Sequence, residues 1–83
     1  MQESLEKIKI VIESKLVDRK IIVDKIEYVK ENKYNFLKIT LDKVGGLDLD
    51  QVAYATKIIN PIIDEYDLIK EEYILDISSK ERG

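Results

Sequence analysis

Four groups of residues in this 83-residue chain are of types that can do chemistry. Asp64, Glu65 and Asp67 crowd three carboxylates together. A carboxylate pair that hydrolyses glycosides needs a sugar-sized cleft between its members and one pKa raised by burial. A helix end on so small a domain offers little burial, so the cluster reads as a solvated acidic patch suited to a protein partner. Asp42, Asp48 and Asp50 surround Gly45-Gly46 and superficially suggest a calcium loop. That loop needs ligands at alternate positions, Gly at the sixth and Glu at the twelfth. Counted from Asp42, the glycines here are fourth and fifth, and the twelfth residue is Ala53. Gly45 and Gly46 also lack the Gly-x-Gly or Gly-Lys context of a phosphate loop. A turn followed by a helix cap is the better reading. Ser78 and Ser79 have no partner base identifiable by motif, so nucleophilic catalysis is not expected.

Lys25, Lys38 and Phe36 form the fourth group. If their strands pair, two cations and one aromatic ring share a sheet face, where they could meet RNA backbone and a base. Glu27 and Asp76 fall on the same face and weaken that reading. The five tyrosines (Tyr28, Tyr34, Tyr54, Tyr66 and Tyr73) are expected as half-buried rim residues rather than stacking platforms.

The composition narrows the function further. The chain has no His and no Cys. The commonest general base, the commonest zinc ligand and any disulfide are thereby removed. No apolar run approaches the roughly 18 residues of a membrane span, and Met1-Gln2-Glu3-Ser4 lacks the pattern of a signal peptide. A cytoplasmic protein without cofactors is expected. The net charge of −3 argues against simple electrostatic capture of nucleic acid. The charge is uneven. Residues 1–43 hold ten Lys/Arg and eight Asp/Glu, whereas residues 44–83 hold four and nine. The asymmetry suggests a mildly basic side and an acidic side, against the plainer reading of ordinary solvated surface on both.

The elements that must position these groups are legible from periodicity. Leu5, Ile8, Ile12 and Leu16 recur at helical spacing over residues 2–16, with Ser4 as a weak cap. Residues 20–30 read as a strand of mixed polarity on both faces, interrupted by Asp24. Glu31-Asn32-Lys33 is a tight turn, since Asn tolerates positive φ. Residues 34–42 alternate cleanly, with Leu37, Ile39 and Leu41 on one face and Phe36, Lys38 and Thr40 on the other. The two strands read as a hairpin. Gly45-Gly46 breaks the pattern. Asp48 then caps a helix, Gln51 completes the capping box, and Leu47 with Val52 can form a hydrophobic staple. Leu49, Val52, Ala53, Thr56, Ile59 and Ile63 are expected along its inner face. Pro61 predicts a kink or two helical pieces. Tyr73, Leu75 and Ile77 alternate as a third strand. The order α-β-β-α-β gives an α+β domain, a three-stranded sheet with two helices on one face. The third strand is expected beside the first. Residues 1–79 form one domain and residues 80–83 a polar, frayed tail.

Several short motifs carry a resemblance. Leu41-Asp42 ends the second strand, Gly45-Gly46 makes the turn, and Asp48 stands where a Ser or Thr cap is more common. Ile63-Asp64-Glu65-Tyr66-Asp67-Leu68-Ile69 resembles a Leu-Asp-Glu-x-Asp-x-Ile helix end. Tyr73-Ile74-Leu75-Asp76-Ile77-Ser78-Ser79 resembles Tyr-x-Leu-Glu-Val-Ser-Ser. In this order and spacing they are similar to the N-terminal domain of the ribosome maturation factor RimP family, across nearly all of residues 1–79. The family's usual Pro-Gly and the stretch leading into an SH3-like second domain are not matched by Lys80-Glu81-Arg82-Gly83.

The resemblance implies a noncatalytic assembly chaperone that binds immature small ribosomal subunits and promotes their maturation. It implies contacts to ribosomal protein and to ribosomal RNA, with no small-molecule substrate, cofactor or membrane. Asp64, Glu65 and Asp67 are the expected protein contact; Lys25, Lys38 and Phe36 are the expected RNA contact. The alternative is a stand-alone protein-interaction or regulatory module that shares only the fold.

Overall fold

The computed structural model describes residues 2–67 and 69–80. The tail residues 81–83 and Leu68 of the acidic motif lie outside the described residues. Helix α1 spans Gln2–Leu16 and runs into a short 3₁₀ turn, Val17–Arg19. Strand β1 spans Ile22–Glu31, β2 Tyr34–Asp42, α2 Leu49–Tyr66 and β3 Ile74–Ser79. The order α-β-β-α-β and the α+β class are as the sequence predicts.

Both helices cover one face of the sheet. Leu5, Ile8, Ile12 and Leu16 of α1 are buried, as expected from their spacing. They share one core with Leu37, Ile39 and Leu41 of β2 and with Ala55, Ile59, Ile62 and Ile63 of α2. The inner face of α2 differs from the expected one. Leu49 is 87% exposed and Ala53 is exposed, while Val52 and Thr56 are half-buried. The observed 55, 59, 62 spacing is the helical stripe that faces the core.

Two further expectations are corrected. The helix runs through Pro61 as one element rather than two pieces. Pro61 and Lys57 are exposed, so the carbonyl that loses its helical donor lies on the solvent side. The strand order is β1-β2-β3, so the third strand lies beside the second, not the first. β1 and β2 pair antiparallel through the Asn32 turn, at which φ is 57°. β2 and β3 pair parallel. The connection of neighbouring parallel strands through a crossover helix lays α2 back over the sheet, where its apolar stripe is needed.

The mixed polarity of β1 has a structural cause. Val23 faces Leu41 and Lys25 faces Thr40, so Asp24 is the extra residue of a β-bulge. The bulge switches the inward parity. Ile21 and Val23 are buried before it and Ile26 after it. Lys80 Nζ reaches Asp24 Oδ1 at 3.2 Å, tying the residue after β3 to the bulge.

Candidate functional site

The best-specified local device is the turn into α2. Gly45 and Gly46 both have φ near +90° (88° and 89°), the left-handed region open to glycine. Asp48 Oδ1 accepts from the Gln51 N–H at 2.8 Å, and Gln51 Oε1 accepts from the Asp48 N–H at 3.2 Å. The capping box expected from the sequence is therefore complete. It commits Asp48 to the backbone. Among the described residues, no group of three or more His, Cys, Asp or Glu side chains is placed to hold a metal ion.

The other end of α2 carries the acidic group. Asp64, Glu65 and Asp67 are all exposed. They do not converge. Asp64 and Asp67 lie toward Tyr73, whose phenol is raised in pKa by burial first and by these two carboxylates after it. Glu65 instead lines an apolar surface depression with Lys15, Lys57, Ile58, Pro61 and Ile62. Asp67 closes the helix in a left-handed conformation (φ 45°), its N–H donating to Ile63 O at 3.0 Å. Lys70 Nζ lies 3.1 Å from Asp67, with both side chains largely exposed. The last turn of α2 holds no basic residue. Carboxylates at a helix C-terminus oppose the macrodipole, at ~0.3–1 kcal/mol each. This end is thus acidic despite a local cost. Beyond it, Asn35 Nδ2 donates to Glu72 O at 3.2 Å and to Glu71 Oε2 at 3.5 Å, fastening the segment before β3 to the start of β2.

The outer face of the sheet holds Lys25, Lys38 and Phe36 together. Register puts Glu27, Lys38 and Asp76 in one row and Val29, Phe36 and Ile74 in the next. Lys25 is exposed opposite Thr40. Lys38 is hydrogen-bonded to Glu31, and its Nζ stands 5.6 Å from the Phe36 ring centroid. The Glu31 bond raises the Lys38 pKa, partly offset by burial, and the charges of Glu31, Asp76 and Glu27 add to the rise. The anticipated presence of Glu27 and Asp76 on this face is thus observed. Their effect is strengthened by Glu31, which sequence spacing did not flag because the pairing runs diagonally between strands.

The tyrosines divide. Tyr28, Tyr54 and Tyr73 are half-buried as expected, whereas Tyr34 is 61% and Tyr66 41% exposed. The Arg19 guanidinium lies 4.2 Å from the Tyr54 ring centroid, linking the 3₁₀ turn after α1 to α2. Ser78 and Ser79 are exposed.

No described helix is long and apolar enough to cross a membrane. What the arrangement offers is surface: an acidic helix end, a mixed-charge sheet face and shallow grooves. The family model of the RimP N-terminal domain matches residues 11–80, from the middle of α1 through the residue after β3. The match takes in the hairpin, the diglycine turn, the capped helix and the serine-ended strand. The chain belongs to the RimP N-terminal domain family and is a RimP-like ribosome maturation domain.

Proposed function

We propose that this domain acts in the cytoplasm as a noncatalytic assembly chaperone, binding immature small ribosomal subunits and favouring their maturation. Its mechanism is differential affinity. A factor that binds the maturing conformation more tightly than the finished one shifts the population and departs when mature contacts form. Family membership over residues 11–80 is the observation that carries this reading.

Within it, the protein contact falls to Asp64, Glu65 and Asp67. Three exposed carboxylates at a helix C-terminus complement a basic ribosomal protein and steer its approach. The RNA contact falls to the outer sheet face, with Lys25 as its exposed cation, Phe36 as its ring and Lys38 beside them. The carboxylates of Glu27, Glu31 and Asp76 make this the weaker surface.

Co-sedimentation of the chain with immature and mature small subunits, at low and high salt, tests the proposal. Selective association with immature particles is the expected result. Strong loss at high salt would identify phosphate contacts. Equal binding to both particles, or none, would overturn the assembly role and favour a regulatory module that shares only the fold.

A further inference from the structure

We propose that the open edge of β3 is a docking site for an extended, basic segment of a partner protein, which adds to the sheet as a fourth strand. This goes beyond the ribosomal reading and does not depend on it.

The main chain defines the site. The Lys80 N–H donates to Leu41 O at 2.7 Å, and Ser79 lies opposite Leu41 in the parallel ladder. Alternation then turns the N–H and C=O groups of Ile74, Asp76 and Ser78 toward β2. Those of Leu75, Ile77 and Ser79 point the other way, to the free edge. β3 pairs only with β2 among the described residues. Three successive donor–acceptor pairs are therefore presented at the spacing of a strand.

The two edges of the sheet are unlike. β1 carries the bulge at Asp24 and the charged residues Lys25, Glu27, Lys30 and Glu31, all devices that discourage strand addition. β3 has neither bulge nor proline, and Asp76 is its one charged residue. The core is also unfinished there. Leu37, Ile39 and Leu41 of β2 are at most 1% exposed, but their neighbours Leu75 and Ile77 on β3 are only half-buried. Between them and α2 runs an open groove of about 330 Å³, lined by Thr56, Asn60, Leu75, Asp76 and Ile77. Alternate side chains of an added strand would enter this groove and cover Leu75 and Ile77.

Charge selects the occupant. Asp76 borders the groove, and Asp64 lies near Tyr73, just ahead of the strand, with Asp67, whose carboxylate is shared with Lys70, and the exposed Glu71 and Glu72 alongside. A segment alternating apolar and basic residues matches both the groove and this field.

The test uses the whole chain and a synthetic peptide of alternating Val and Lys, with a Val/Glu peptide of equal length as control. Amide hydrogen exchange is read residue by residue. The Val/Lys peptide is expected to slow exchange at Leu75, Ile77 and Ser79, and the Val/Glu peptide to leave it unchanged. Asn60→Arg alters an exposed side chain and adds a cation to the groove. It should keep the melting temperature and weaken Val/Lys binding by about tenfold or more. No slowing at these amides with millimolar peptide overturns the proposal. So does protection centred on β1, equal binding of the Val/Glu peptide, or unchanged affinity in Asn60→Arg. Protection of the same amides without peptide, rising with protein concentration, would assign the edge to a second copy of the chain and also overturn it.

Discussion

Asp48 and Gln51 satisfy each other's backbone amides, at 2.8 and 3.2 Å, in one reciprocal cap at the start of α2. The helix they start supplies Ala55, Ile59, Ile62 and Ile63 to the core. Asp48→Ala leaves the Gln51 N–H without its acceptor and should lower stability by ~1 kcal/mol. Asp48→Ser keeps a capping oxygen and should recover most of the loss. Urea denaturation of both variants measures this. An unaffected midpoint in Asp48→Ala would mean that the cap is dispensable.

Gly45 and Gly46 share the same turn, and a Cβ added to either would meet no atom within 4 Å. Any cost of Gly→Ala there is backbone strain alone, ~1 kcal/mol per position. Asn at either position tolerates positive φ better and should cost less than Ala. Equal losses for Ala and Asn would indicate a source other than φ.

Tyr28 is the outlier of the interior. Its hydroxyl oxygen is buried with no hydrogen-bond partner among the described residues. Burial, and secondarily the charge of Glu71, raises its pKa. Leaving a buried hydroxyl unsatisfied is unfavourable, so Tyr28→Phe should be neutral or stabilising. A thermal melt decides this. A clear loss of stability would reveal a hydrogen bond to the hydroxyl.

Alkaline pH should destabilise the domain. The pKa of Tyr73 is raised by burial and then by Asp64 and Asp67, and that of Lys38 by its bond to Glu31. Both folded values exceed the unfolded ones. Between the two the unfolded chain binds fewer protons, so stability falls as pH rises. The contribution is intact below pH ~10 and lost as pH passes through the folded pKa values. Tyr73→Phe should flatten part of this decline in urea midpoints. Tyrosinate absorbance of the wild type should show part of the titration displaced upward. An unchanged slope in Tyr73→Phe would remove Tyr73 from the effect.

The elements whose order depends on local physics were legible in the sequence. Leu5, Ile8, Ile12 and Leu16 mark α1 by spacing, Leu37, Ile39 and Leu41 mark β2 by alternation, and Asp48 with Gln51 marks the start of α2. Features set by pairing between distant segments were not. The Asp24 bulge shows in sequence only as a broken alternation, because the extra residue is defined by its partners Leu41 and Thr40. Local pattern also does not fix which edge receives β3; that depends on how α2 packs its stripe. The acidic residues at the end of α2 were visible as types. That Glu65 faces Lys15 and Lys57 while Asp64 lies toward Tyr73 follows from helical phase and needed the neighbouring elements in place.

Asp67 sets stability against binding most directly. It holds φ 45°, a conformation that glycine adopts without strain, and adds a negative charge at the helix C-terminus. Its ion pair with Lys70 joins side chains that are 71% and 79% exposed, so losing it costs little. Asp67→Gly should therefore stabilise the domain by ~0.5–1 kcal/mol. If the acidic end is the protein contact, the same variant should weaken association with immature small subunits, and Asp64→Lys with Glu65→Lys should weaken it further. Asp67→Asn, which tolerates the left-handed conformation without the charge, separates the two effects. Reduced association in both Asp67 variants would assign the loss to the carboxylate. Raised stability with unchanged association would remove Asp67 from the contact and leave its conformation as a local cost of closing the helix.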